Sequence, residues 1–331
     1  MVMKQLTLGI PAALLLTGIS GVATAASLSA GQRMAERFLR GEVDAIWSAA
    51  TPEMQEAFGS AQSLAAFHGE LLANFGSEDI VLSERMDAQS GLEIYTRVSR
   101  WTQAPTPLEI SIAFGAEGQI AGFLVRRQPL AAPSRFLDYQ TKANLRLPVN
   151  REWFVYWGGR DIEDNYHAVD VSQRFALDLL VMRDGQSYSG DPSRVENYHC
   201  WGRPILAPAD GVVLRAVDDL PDQAIGTTAG ENPAGNHIVI DFGNDEYGVL
   251  AHLRKGSVSV AEGDTVAAGQ EIGLCGNSGN TSEPHLHFHI QTSPKPGQGE
   301  GLPAQFTNYR SNGTAINRGE PQRGERILSV E

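Results

Sequence analysis

Cysteine is almost absent: the 331 residues hold only Cys200 and Cys275, too far apart for the Cys-x-x-Cys spacing of a metal knuckle. Cations are also in short supply. Lys and Arg total 26 against 39 Asp and Glu, a formal charge of −13, and no basic run interrupts this excess. Broad electrostatic binding to DNA, RNA or an anionic membrane surface is thereby excluded. After residue 25 no apolar run is long enough to cross a bilayer as a helix. What the chain does have is 42% hydrophobic and 20% charged residues with 35 Gly and 17 Pro, which fits a turn-rich globular protein and excludes a disordered or collagen-like one. The length suits two compact units, each burying its own core.

Residues 1–25 carry one cation, Lys4, an apolar run from Leu6 to Leu16 and a small-residue ending, Ala23-Thr24-Ala25, the layout of a secretory signal peptide. Pro11 and the glycines at 9, 18 and 21 argue against a continuous membrane span. A periplasmic or secreted location follows. In such a compartment Cys200 and Cys275 could be bridged or could stay two buried thiols.

From 27 to 127 the pattern is helices first and strands after. Thr51-Pro52-Glu53 reads as a helix start, and Leu64, Phe67, Leu71 and Phe75 recur at helical spacing behind Ser60 or Ser63. Strands are expected over Leu92–Trp101, over the alternating Leu108-Ile110-Ile112-Phe114 and over Ile120–Arg126. This α+β stretch resembles the cone-shaped domains of the nuclear-transport-factor type, a likeness that carries no function by itself. Residues 128–144, with Pro129 and Ala131-Ala132-Pro133-Ser134, read as a linker. Short β-type runs among frequent Gly, Pro and Asn then predict a mostly antiparallel β domain over 145–295, followed by a C-terminal extension over 296–331.

Seven of the eight histidines fall after residue 160. Pro284-His285-Leu286-His287-Phe288 places two imidazoles on one face of a strand, where they can share a metal or divide its work between ligand and acid–base. A Gly-rich loop, Gly273-Leu274-Cys275-Gly276-Asn277-Ser278-Gly279-Asn280, leads into that strand, and Val249-Leu250-Ala251-His252-Leu253 supplies a further histidine. With Ala207-Pro208-Ala209-Asp210-Gly211-Val212-Val213 and Val260-Ala261-Glu262-Gly263-Asp264-Thr265-Val266, these ordered blocks resemble the lysostaphin/LytM-type zinc metallopeptidases over roughly residues 145–292.

The resemblance implies that His287 ligates Zn2+ and that His252 and His285 are the catalytic imidazoles. The family's other two ligands normally come from an His-x-x-x-Asp segment, and here the sequence departs from it: four residues after His167 stands Val171. Asp170 is one residue short and, on an extended strand, would face away from His167. Asp178, an acid inside the apolar run Phe175-Ala176-Leu177-Asp178-Leu179, is the better candidate, because an unpaired charge there is costly. His167, Asp178 and His287 are therefore the expected metal ligands. His285 is expected to act as general base and His252 as donor to the oxyanion, with the two roles exchangeable. His289 shares the face of His287 without a family counterpart, and Asn165 is expected to line a substrate groove.

The function implied is a zinc-dependent endopeptidase that cuts peptide bonds in peptidoglycan cross-links. Two alternatives stand beside it: a secreted protease acting on glycine-rich proteins, and a non-catalytic envelope module that binds or activates.

Overall fold

A computed structural model describes residues 27–89, 92–227 and 229–330. The signal-peptide reading of 1–25 falls outside the described residues. The chain divides into two compact units, with the boundary between Pro129 and Leu130.

The first unit begins with four helices: α1 (Leu28–Leu39), α2 (Val43–Ala49), α3 (Pro52–Phe58) and α4 (Ala61–Phe75). Three of the four starts, those of α1, α3 and α4, are set by side-chain caps. The hydroxyls of Ser27, Thr51 and Ser60 accept from Ala30 N, Met54 N and Ser63 N, and Pro52 stands in the first turn of α3, where its missing N–H costs nothing. Gly76, at φ +74, ends α4. Leu64 and Leu71 of the apolar stripe are buried and Phe67 and Phe75 pack beside them. A four-stranded antiparallel meander follows, with β1 (Glu78–Gln89), β2 (Leu92–Trp101), β3 (Leu108–Phe114) and β4 (Ile120–Arg127) in chain order. β1 has no counterpart among the expected strands. It is an edge strand with two register shifts, and Ile80, Val81 and Leu82 are exposed, so the alternation that marks a half-buried strand is missing.

The second unit is built from β5 (Glu152–Trp157), β6 (Leu177–Leu180), β7 (Pro204–Leu206), β8 (Gly211–Val217), β9 (Asn236–Asp241), β10 (Tyr247–Leu253), β11 (Thr265–Val266), β12 (Glu271–Leu274), β13 (Leu286–Gln291), β14 (Gly301–Leu302), β15 (Phe306–Ser311), β16 (Thr314–Gly319) and β17 (Arg326–Ser329). One antiparallel sheet runs β11-β8-β9-β10-β13-β6-β5-β17-β15-β16, with β14 beside β13, while β7 and β12 pair separately. The segment 128–144 ends fixed to this unit: Tyr139 Oη, Lys142 N and Ala143 N all donate to the fully buried Glu246 carboxylate. The C-terminal stretch extends the large sheet, with β17 paired to β5.

Alternation sorts the faces of the central strands. Leu286, Phe288 and Ile290 of β13 and Ile238 and Ile240 of β9 lie in the core with no exposure. Full burial of each contributes roughly 1.5–3 kcal/mol. The opposite face of β13 presents His287, His289 and Gln291.

Candidate metal centre and active site

The site forms where β6, β13 and β10 lie side by side. In the β6–β13 ladder Asp178 stands opposite His287, and in the β10–β13 ladder Ala251 stands opposite His287 and Val249 opposite His289. The two small or apolar partners leave the space above the imidazoles open. His167 arrives on a single 3-10 turn, Tyr166–Val169, rather than on a strand. Asp170 caps that turn, exposed, and its carboxylate accepts from Ser172 N, Ser172 Oγ and Gln173 N.

His167, Asp178 and His287 each offer a ligand atom within 4.8 Å of the others, and all three side chains are buried. His287 Nδ1 is 2.9 Å from Asp178 Oδ1, His167 Nε2 is 3.6 Å from Oδ2, and His285 Nε2 is 3.5 Å from Oδ1. The ring centroid of His252 lies 4.7 Å from that of His285.

Hydrogen bonds on the far side of three rings decide which nitrogen faces inward. His285 Nδ1 contacts the Glu283 carbonyl at 2.8 Å and His252 Nδ1 the Ser278 carbonyl at 2.9 Å. A carbonyl only accepts, so both Nδ1 atoms carry the proton and both Nε2 atoms present a lone pair to the site. For His167 the partner is Asn165 Oδ1 at 2.9 Å. The Asn165 amide nitrogen donates to the Gly159 and Ala176 carbonyls, which fixes its oxygen as the acceptor and again leaves Nε2 bare. Asn165 is fully buried in this role, so the residue expected to line a groove has no polar atom left for a substrate.

Two glycines make the Ser278 carbonyl available. At Gly276 a Cβ would lie 2.2 Å from Arg254 N, and Gly279, at φ +87, would bring one within 2.4 Å of Gly235 N, so side chains are excluded from the loop at both points. Ser278 Oγ accepts from Asn236 N and donates to the Leu253 carbonyl, anchoring the loop to the sheet. His252 itself sits at φ +63, where the β9–β10 register shifts. Backbone strain at a non-glycine residue is kept only where the surroundings enforce it, and here it turns the imidazole into the site.

Burial alone would push the Asp178 carboxyl up, but the His167, His285 and His287 imidazoles around it hold it well below the usual carboxylate range. Burial pushes His167 down to about 4 against the pull of Asp178. It also keeps His252 well below the ordinary imidazole value, helped by His285 and His287. For His285 the downward push of burial is outweighed by Asp178, and its value is raised.

A buried carboxylate that meets imidazole lone pairs at these distances needs a cation or a proton among them. Two imidazole nitrogens and a carboxylate oxygen form a donor set suited to a divalent transition metal, so the residues present fit a metal centre. A cavity of about 300 Å³ opens over it, lined by Tyr166, His167, Asp170, His252, His287 and His289 among others. Cys200 and Cys275 are buried thiols with sulfurs 2.9 Å apart, and Cys200 Sγ donates to the Pro284 carbonyl, one residue before His285.

Comparison with known proteins fits this arrangement. The profile of peptidase family M23 matches residues 197–298. Lipoprotein NlpD of Yersinia enterocolitica is 35% identical over 94 residues, which are 28% of this chain and 82% of that one. The chain belongs to peptidase family M23. The M23 match takes in His252, His285 and His287, whereas His167 and Asp178 precede it and reach the site through the 3-10 turn and β6. Peptidoglycan DD-endopeptidase ShyA of Vibrio cholerae is 35% identical over 95 residues, 29% of this chain and 19% of that protein. The chain thus spans about a fifth of the length of that relative. The lysostaphin catalytic domain of Staphylococcus simulans is 26% identical, with 40% of this chain and 86% of that one covered and a TM-score of 0.22. Membership of M23, a metallopeptidase family, implies a metal. Among the described residues no helix is long and apolar enough to cross a membrane.

Gln291, whose Oε1 bonds His289 Nε2 at 3.0 Å, is a residue that motif reading missed. It follows His287 and His289 at the two-residue period of β13, and that alternation is the signal that could have found it.

Proposed function

We propose that this chain is a zinc-dependent endopeptidase of the cell envelope that hydrolyses peptide bonds in peptidoglycan cross-links. The observation that carries the reading is the juxtaposition of the His167–Asp178–His287 cluster with two further imidazoles, His252 and His285, whose Nε2 atoms face the same space. His167 Nε2, an Asp178 oxygen and His287 Nδ1 would hold the ion, leaving room for water as in catalytic rather than structural zinc sites. Bound zinc supplies Lewis acidity toward a peptide carbonyl and toward water.

His285 takes the proton of the attacking water on Nε2, because the imidazolium so formed lies 3.5 Å from Asp178 and is stabilised by it. His252 Nε2, bare in the resting ring, takes up that proton from His285, donates it to the developing oxyanion and then passes it to the departing amine. Burial disfavours charge on this ring, which makes its protonated form a ready donor. Water adds to the carbonyl carbon, the carbon–nitrogen bond breaks, and one proton passes from water through the histidine pair to the new amine.

Peptidoglycan as substrate and the envelope as location are supported by the names of the relatives, a peptidoglycan DD-endopeptidase and a lipoprotein. Four helices packed on an antiparallel sheet support an accessory role for the first unit as a cone-like domain of the nuclear-transport-factor type. The test is mass spectrometry of cross-linked peptidoglycan incubated with the purified full chain. The expected result is loss of cross-linked dimers, with a new amine and a new carboxyl terminus in the stem peptides. Intact cross-links, with the zinc-loaded chain bound to the sacculus, would replace the enzyme by a binding module.

A further inference from the structure

A directed chain of hydrogen bonds leaves the back of His287 along β13. His287 Nε2 lies 2.9 Å from His289 Nδ1, His289 Nε2 lies 3.0 Å from Gln291 Oε1, and Gln291 Nε2 donates to the Ser293 and Lys295 carbonyls at 2.6 and 2.7 Å. His289 and Gln291 are buried, with 4% and 0% exposure, so solvent does not compete for these bonds. The direction is set at the far end. Two carbonyls accept, so the Gln291 amide must point its NH2 at them and its oxygen at His289. His289 then carries its proton on Nε2 and offers a bare Nδ1. His287 must donate to that nitrogen from Nε2, which leaves the Nδ1 lone pair facing Asp178.

We propose that Gln291 is a positioning residue for the metal centre: acting through His289, it fixes the tautomer of His287 in which Nδ1 is the ligand atom. This rests on the metal-centre reading above and deepens it, since it assigns the ligating nitrogen and the residue that enforces it. Gln291 does not line the cavity, and both ring nitrogens of His289 are engaged, Nδ1 by His287 and Nε2 by Gln291. The rotameric freedom of His287 is removed by the same chain, which ties the ring to the backbone after the end of β13. His167 achieves the same result by a shorter route, through Asn165 alone.

The test combines imidazole nitrogen NMR with zinc titration against a chromophoric chelator, on the full chain and on Gln291→Leu and Gln291→Glu. In the wild type His289 is expected to be protonated on Nε2 and bare on Nδ1, with or without zinc. Gln291→Leu removes the acceptor, mixes the His289 tautomers and lowers zinc affinity roughly 10–100-fold, the range for loss of an outer partner of a metal-bound histidine. Gln291→Glu keeps an oxygen toward His289, with its protonated oxygen toward the carbonyls, and should restore most of the affinity. A role confined to packing would lower affinity in both variants alike and overturn the proposal. So would a wild-type His289 protonated on Nδ1, or a Leu variant with unchanged tautomer and affinity. A wild-type chain that binds no zinc while showing the expected His289 tautomer would instead sink the metal-centre reading and leave the directed chain standing.

Discussion

Asp178 stands directly across the β6–β13 ladder from His287, with Oδ1 2.9 Å from Nδ1, although the two residues are 109 positions apart in the chain. A carboxylate in a wholly buried strand is expensive unless it is compensated, and here three imidazoles converge on it. Asp178→Ala is therefore expected to lose zinc by more than the 10–100-fold of an outer-partner change, read by metal content after dialysis. Asp170→Ala should keep zinc and cost only about 1 kcal/mol, since it removes acceptors for Ser172 and Gln173 at an exposed turn. Zinc lost from the Asp170 variant and kept by the Asp178 variant would reverse the assignment.

His285→Ala separates proton transfer from metal binding. The variant should retain zinc and lose activity by about 10²–10⁴-fold, the usual size of a general acid–base contribution. Loss of zinc in parallel with activity would make His285 a ligand.

Asn165 holds His167 Nδ1 and satisfies two carbonyls at once. Asn165→Ala should lower zinc affinity roughly 10–100-fold and destabilise the fold by about 1–3 kcal/mol through the unpaired Gly159 and Ala176 oxygens. Chelator competition and thermal unfolding read the two effects separately. A fall in substrate affinity with both quantities unchanged would return Asn165 to a groove.

How much of this was legible beforehand depends on whether the signal was local. His285 and His287 announce themselves by a two-residue spacing, and the Gly276–Gly279 loop by its glycines, because period and turn chemistry are written into adjacent residues. The pairing of Asp178 with His287 is a matter of strand order, which no window of sequence contains. The sequence offered only an acid inside an apolar run. Asn165 was misplaced for a related reason: its side chain looks outward in a loop reading and turns inward once the 3-10 turn it caps is formed. β1 escaped notice because an edge strand with exposed Ile80, Val81 and Leu82 lacks the usual alternation.

The thiols of Cys200 and Cys275 face each other in the core of the second unit, where Cys200 donates to the Pro284 carbonyl next to His285 and Cys275 opens the loop that carries Ser278. In chain recovered from an oxidising compartment, they are expected to form a disulfide by exchange with an oxidised dithiol protein. Intact mass before and after reduction should differ by two hydrogen atoms. Two alkylatable thiols under denaturing, non-reducing conditions would contradict the bridge.

One zinc ion held by His167, Asp178 and His287 is proposed to enable hydrolysis of peptidoglycan cross-links. The decisive measurement is the rate of cross-link cleavage by the full chain before chelation, after chelation and after return of one equivalent of zinc. Activity, its loss and its recovery are expected, with no recovery in Asp178→Ala. Cleavage that persists in the fully chelated chain would contradict this role of zinc.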